Sequence, residues 1–186
     1  ISWLKGDGNA SSARTARGGV LYGVDWLIDD RAAGVFAGVG QSSFEIPDLG
    51  STANIDSVHL GLYAGQRFGG LQVKFGASNS WYDIETRRDI AFDGFSDSQT
   101  ASYRGSTAQF FSEASFDFGL SRDLVITPFG RLDYAIAQRD SFHEDGGASS
   151  LSGESAREDQ FATTVGLRAE RQASVAGKNV VTGFDV

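Results

Sequence analysis

The chain has 186 residues, among them 24 glycines, 14 phenylalanines, only 2 prolines and no cysteine, with a formal charge of −8. That length allows one domain with a sizeable core rather than two; the missing cysteines exclude disulfides and Cys-based metal centres, and the acidic balance argues against nucleic acid as a partner. No apolar run reaches the ~18 residues of a membrane-spanning helix, yet a mean hydropathy of −0.21 suits a soluble protein and a membrane barrel equally, since barrel strands show lipid only alternate residues.

Alternation with a period of two runs through the chain, and helical periodicity is hard to find. It predicts strands over 18–28, 32–46, 55–68, 71–86, 105–119, 124–141 and 159–172, with partial strands at 1–5 and 178–186. Several exceed twice the usual ~5–6 residues, the length a tilted membrane-crossing strand needs. Asp29-Asp30 and Gly69-Gly70 read as tight turns, and Leu120–Asp123 and Ala173–Gly177 are also short. Between them fall polar stretches at 6–16, 47–54, 87–104 and 142–158, read as long loops. Short and long connections would then alternate down the whole chain, trimming one end of an up-and-down array and decorating the other.

The two phases of the strands differ in chemistry. In 55–68, Val58, Leu60, Leu62, Ala64, Gln66 and Phe68 oppose His59, Gly61, Tyr63, Gly65 and Arg67. In 71–86, Leu71, Val73, Phe75, Ala77, Asn79 and Trp81 oppose Gln72, Lys74, Gly76, Ser78, Ser80 and Tyr82. Strand 105–119 sets Ala108, Phe110, Ser112, Ala114, Phe116 and Phe118 against Gln109, Phe111, Glu113, Ser115 and Asp117. Strand 159–172 sets Phe161, Thr163, Val165, Leu167 and Ala169 against Ala162, Thr164, Gly166, Arg168 and Glu170. The six charges among these residues, Arg67, Lys74, Glu113, Asp117, Arg168 and Glu170, all share the polar phase, an outcome of about one in sixty-four if charge ignored phase. Asp25, Arg131 and Asp133 follow the same rule.

A charge facing lipid at mid-bilayer costs about 2–4 kcal/mol, so its exclusion from one phase predicts a lipid-facing surface. Leu60, Leu62, Val73, Phe75, Phe110, Phe116, Val165 and Leu167 are expected to face acyl chains. Trp26, Phe68, Trp81 and Phe118 are expected to form aromatic girdles. Asp25, His59, Arg67, Lys74, Glu113, Asp117, Arg131, Asp133, Arg168 and Glu170 are expected to line a wet lumen. Phe36 and Phe44 sit out of phase with Val35 and Val39, and Pro128 falls inside a strand, predicting a bulge or a strand entry there.

Catalytic and ligand motifs are nearly empty. His59 and His143 lack zinc-like spacing, no EF-hand spacing surrounds His143-Glu144-Asp145, and no Ser/His/Asp set stands out. No catalytic residue, metal site or cofactor is therefore expected. A water-soluble β-barrel with the apolar phase turned inward remains an alternative, as does a small eight-stranded outer-membrane adhesin.

Several stretches resemble the C-terminal translocator domain of autotransporters: Gly6–Ala10 (GDGNA), Gly18–Asp25 (GGVLYGVD), His59–Gly65 (HLGLYAG) and Trp81–Phe95 (WYDIETRRDIAFDGF). Thr107–Glu113 (TAQFFSE), Thr127–Gly130 (TPFG), Leu151–Gly153 (LSG) and Gly166–Arg168 (GLR) continue the likeness in order. The resemblance implies an all-β, antiparallel up-and-down transmembrane barrel of about twelve strands, of which this single domain (residues 1–186) would supply about eight complete ones, truncated at both ends. It further implies anchoring in the outer-membrane bilayer, a passenger domain upstream with a linker helix in the pore, and insertion by the barrel assembly machinery. The absence of Met, the start at Ile1 and the lack of a leader-like segment add the expectation of a mature product or a piece of a longer chain.

Overall fold

The computed structural model describes residues 2–4, 11–121, 123–175 and 178–185. The described chain is built of antiparallel strands in chain order: β1 Ser2–Leu4, β2 Ala13–Ile28, β3 Arg31–Ile46, β4 Ser51–Phe68, β5 Leu71–Phe92, β6 Phe95–Phe116, β7 Phe118–Gly119, β8 Leu124–Arg139, β9 Phe142–His143, β10 Ser152–Gly153, β11 Ala156–Val175 and β12 Lys178–Asp185. One sheet runs β1-β2-β3-β4-β5-β6-β8-β11-β12, with β7 also on β8, while β9 and β10 pair separately. Each long strand pairs with its neighbour in sequence, the up-and-down order expected.

Side chains two strands apart meet on one face. Arg67 of β4 reaches Asp117 past β5, and Glu113 of β6 reaches Arg168 of β11 past β8. Backbones so placed are about 10 Å apart in a flat sheet, so the sheet curls toward that face, which is concave. The opposite, convex phase carries the exposed Val58, Leu60, Leu62, Phe68, Phe75, Trp81, Phe110 and Phe116. The register aligns residues 58–68 of β4, 71–81 of β5 and 106–116 of β6, eleven on each strand. Eleven residues rising ~3.3 Å each at a ~40° tilt cover about 28 Å, enough for an apolar band of about 25 Å.

Several expectations need correction. Residues 87–104 are not a loop but a continuation of the β5–β6 hairpin, closed by Asp93-Gly94, where Gly94 has φ 79°, and by stacked Phe92 and Phe95 rings. Their polarity suggested a loop because the strands here rise past the apolar band. Convex Asp83, Glu85, Arg87 and Asp89 then face outward while Ile84 and Ile90 turn to the concave face. Asp56 is convex for the same reason. Residues 47–54 likewise shorten to a 3₁₀ turn, Pro47–Leu49, and Gly50 before β4. The strict alternation of short and long connections therefore fails by residue count, although the end opposite the short turns still carries the tall hairpin and the long 140–155 segment. Of the predicted loop 6–16, residues 13–16 belong to β2 and residues 6–10 lie outside those described.

Pro128 marks neither a bulge nor a strand entry. The β6–β8 ladder ends at Ser115↔Phe129 and resumes as Phe118↔Ile126 without a register change. Proline has no N–H to donate, so the ladder opens at that point. The Thr127 hydroxyl fills the gap by donating to Asp117 at 2.8 Å, and Asp117 N–H turns instead to the Gly70 carbonyl at 2.9 Å.

Candidate functional site

The concave face near the short turns is a wall of mutually satisfied charges. Glu113, 5% exposed, accepts two hydrogen bonds from Arg168, at 2.8 and 3.0 Å, and faces Lys74 of β5 at 3.4 Å. The register puts Lys74 directly opposite Glu113, whereas Arg168 arrives across β8 with its guanidinium 4.1 Å from the Phe129 ring centre. A planar fork stacked on an aromatic face suits Arg and not Lys. Arg131, opposite Glu113 on β8, turns along its own strand to Asp133 at 2.7 Å and stacks 4.5 Å over Phe111. Arg67 donates to Asp117, the carboxylate that Thr127 also holds. Glu113, Asp117 and Asp133 therefore each have a cation or hydroxyl donor, as partly buried charges require.

Nearer β2, aromatic rings lie over glycines of the neighbouring strand. Tyr63 stands opposite Gly34 and crosses it, so that its hydroxyl donates to Asp25 of β2. Phe36 stands opposite Gly61 and Phe111 opposite Gly76. In each case the ring occupies the space a Cβ on the glycine would take. Phe36 is out of phase in the sequence because it packs on this concave surface while Val35 faces outward. His59 sits in a hydroxyl chain: its Nδ1 is 2.7 Å from Ser80 Oγ and its Nε2 3.0 Å from Ser57 Oγ, and Ser57 donates to the Gly40 carbonyl at 3.1 Å. With the Ser57 proton directed at Gly40, the Nε2–H tautomer completes the chain.

The concave phase thus holds Asp25, His59, Arg67, Lys74, Glu113, Asp117, Arg131, Asp133, Arg168 and Glu170, and all but Glu170 join a described ion pair or hydrogen bond. The convex phase holds Leu60, Leu62, Val73, Phe75, Phe110, Phe116, Val165 and Leu167. Trp26 and Phe68 stand on it near the short turns, Phe116 and Phe118 rings lie 4.7 Å apart there, and Trp81 stands at the other border beside Asp83.

The fold has counterparts among known proteins. A family model described as "Autotransporter beta-domain" matches residues 1–185. The chain belongs to that family. It is an all-β domain of the bacterial outer membrane. Two curated proteins, both "Extracellular serine protease" of Serratia marcescens, are 36% and 34% identical over 90% and 92% of this chain, which spans 16% of the length of each. The translocator domain of autotransporter NalP from Neisseria meningitidis has the same fold, with a TM-score of 0.77 at 19% identity over 92% of this chain and 60% of that one. The β-domain of the Bordetella autotransporter BrkA gives 0.63 at 19% identity, over 95% and 73%.

In this autotransporter β-domain a second cluster, invisible in the sequence, lies beyond the apolar band. The β6 edge above Gly105 has no partner on β8, and the 140–155 segment covers it: Thr100 and Asp145 exchange backbone hydrogen bonds at 2.9 and 2.8 Å. The segment then folds onto the concave side of the hairpin. Arg88 grips Glu144 through two nitrogens and the Ser149 carbonyl at 3.0 Å. Asp97 accepts from the Ser149 hydroxyl and amide, at 2.6 and 3.0 Å, and from fully buried Gln99 at 2.9 Å. A side chain at Gly147 would strike the Asp97 carboxylate. The Arg88 guanidinium holds the Glu144 carboxyl below its usual range, and the Ser149 hydroxyl does the same for Asp97.

Proposed function

We propose that this autotransporter β-domain anchors its polypeptide in the outer membrane and passes an upstream passenger to the cell surface through the space its concave face encloses. The observation that carries the reading is the partition of charge: an eleven-residue convex band free of formal charge on β4, β5 and β6, backed by a concave wall of ion pairs. In this reading the convex leucines, valines and phenylalanines meet acyl chains, Trp26, Phe68, Trp81 and Phe118 sit at headgroup level, and the concave charges line a hydrated lumen. There they touch a linker helix or the passing chain. Lumen charges that already neutralise one another bind a passing segment weakly, which favours transit over retention.

The domain itself makes and breaks no bonds in this account; whatever the whole protein cleaves or binds belongs to its passenger, and folding into the bilayer requires the barrel assembly machinery. The supporting test places an epitope tag ahead of Ile1 in the full-length protein and stains intact cells. Surface staining that disappears when Leu62→Arg blocks barrel folding is expected. A tag confined to the periplasm beside a folded, heat-modifiable barrel would refute export.

A further inference from the structure

The convex face carries one feature that membrane anchoring alone leaves unexplained. The register aligns Trp26 of β2, Ala33 of β3, Ala64 of β4 and Phe75 of β5 in one cross-strand row, two large aromatics flanking two alanines. The row nearer the short turns reads Ile28, Arg31, Gln66 and Val73. The small residues form the floor and the aromatics the walls of a trough of about 530 Å³, with Phe68 closing its turn-side end. Arg31 and Gln66 stand side by side at that end.

Arg31 is exposed and makes no ion pair among the described residues, although Asp29 and Asp30 precede it directly. Arg14, Arg67, Arg87, Arg88, Arg104, Arg131, Arg157 and Arg168 have a carboxylate partner, whereas Arg17, Arg139 and Arg171, like Arg31, form no ion pair among the described residues. On a surface facing lipid, a guanidinium near the interface is tolerated at about 0–1 kcal/mol, and what it meets there is the phosphate layer. A guanidinium forks two N–H groups onto a phosphate, and the Gln66 amide adds a third donor. The trough beginning beside these donors accepts an apolar chain.

We propose that this trough is a binding site for a single glycerophospholipid of the leaflet at the short-turn end. Its phosphate is held by Arg31 and Gln66, and one acyl chain lies over Ala33 and Ala64 between Trp26 and Phe75. The occupant is a lipid rather than another protein because charge and shape change together over one pleat: donors for a phosphate, then an apolar channel as narrow as two alanines.

The full-length protein, extracted from outer membranes in mild detergent and exchanged exhaustively, tests this by mass spectrometry of the lipid retained per polypeptide. The wild type is expected to keep about one phospholipid, as basic membrane-protein pockets do, and Arg31→Lys to keep most of it. Arg31→Gln, and the trough-filling Ala33→Leu/Ala64→Leu pair, should each lower retention several-fold, while heat-modifiable migration shows all four barrels folded. In reconstitution, phosphatidylglycerol should be retained over diacylglycerol by the wild type and not by Arg31→Gln. Equal retention in the wild type and Arg31→Gln, equal retention of the phosphate-free lipid by the wild type, or recovery of a lipopolysaccharide instead would each overturn the proposal.

Discussion

Replacing Glu113 by Gln isolates the electrostatic part of the concave wall, because the amide keeps the shape and removes the charge. Glu113 is 5% exposed and holds two cations. Removing the carboxylate leaves Arg168 and Lys74 facing each other without a counter-charge and forfeits at least one of the two Arg168 hydrogen bonds. Breaking a fully buried pair from one side costs about 3–5 kcal/mol. Here the Arg168 side chain is 26% and that of Lys74 40% exposed, so water recovers part of the loss, and about 2–3 kcal/mol is expected, as for a charged hydrogen bond left unmade. Lys74→Gln removes only the longer, more exposed contact and should cost under about 1 kcal/mol. Urea unfolding of the refolded barrel in phospholipid vesicles gives both values, and a cycle with Arg168→Gln should show coupling of at least about 1 kcal/mol. Additivity of Glu113→Gln and Arg168→Gln within about 0.5 kcal/mol would refute the bidentate pair as a stabilising contact.

Other outcomes follow from the same geometry. Leu62→Arg, at an exposed position in the middle of the convex band, should cost about 2–4 kcal/mol and sharply lower the yield of heat-modifiable barrel, while Lys74→Gln leaves the yield intact. Gly61→Val should displace the Phe36 ring and lower stability by about 1–3 kcal/mol in the same urea assay; Gly130→Val, where an added Cβ meets nothing within 4 Å, is the control expected to change little. The Glu144 and Asp97 carboxyls lie below their ordinary values of 4.5 and 3.8, so their contribution is present above those values and lost as pH falls through the lower folded ones. The protection factors of residues 140–155, which remove the intrinsic pH dependence of amide exchange, should therefore be high near neutrality and fall as pH drops through the lowered carboxyl values, and Glu144→Gln should lower them at neutral pH.

The period of two placed every long strand, because a sheet with one apolar face writes its phase into alternate residues. Its failures are physical as well. Over 87–104 the convex side leaves the apolar band, so the polar and apolar phases trade places and the segment looks like a loop; Asp93-Gly94, a strong hairpin signal, was the clue against that reading. The residues of the concave face were legible one at a time from their phase, but their partners were not. Arg168 meets Glu113, and Arg67 meets Asp117, across an intervening strand, which depends on curvature that no linear pattern encodes. Tyr63 on Gly34, Phe36 on Gly61 and Phe111 on Gly76 become visible only once the register sets an aromatic opposite a glycine. The grip of Arg88 on Glu144 joins residues 56 apart and left no local trace.

The central claim concerns which face meets the acyl chains, and the chain has no native cysteine to interfere with labelling. Single spin labels at Leu60→Cys, Val73→Cys, Phe110→Cys and Val165→Cys, compared with His59→Cys, Lys74→Cys and Thr164→Cys, report it in bilayers through relaxation by oxygen and by a water-soluble nickel complex. The first four should be relaxed by oxygen and shielded from nickel, and the other three the reverse. Nickel access at Leu60 and Val73 together with nickel exclusion at His59 and Lys74 would turn the sheet inside out and contradict the account.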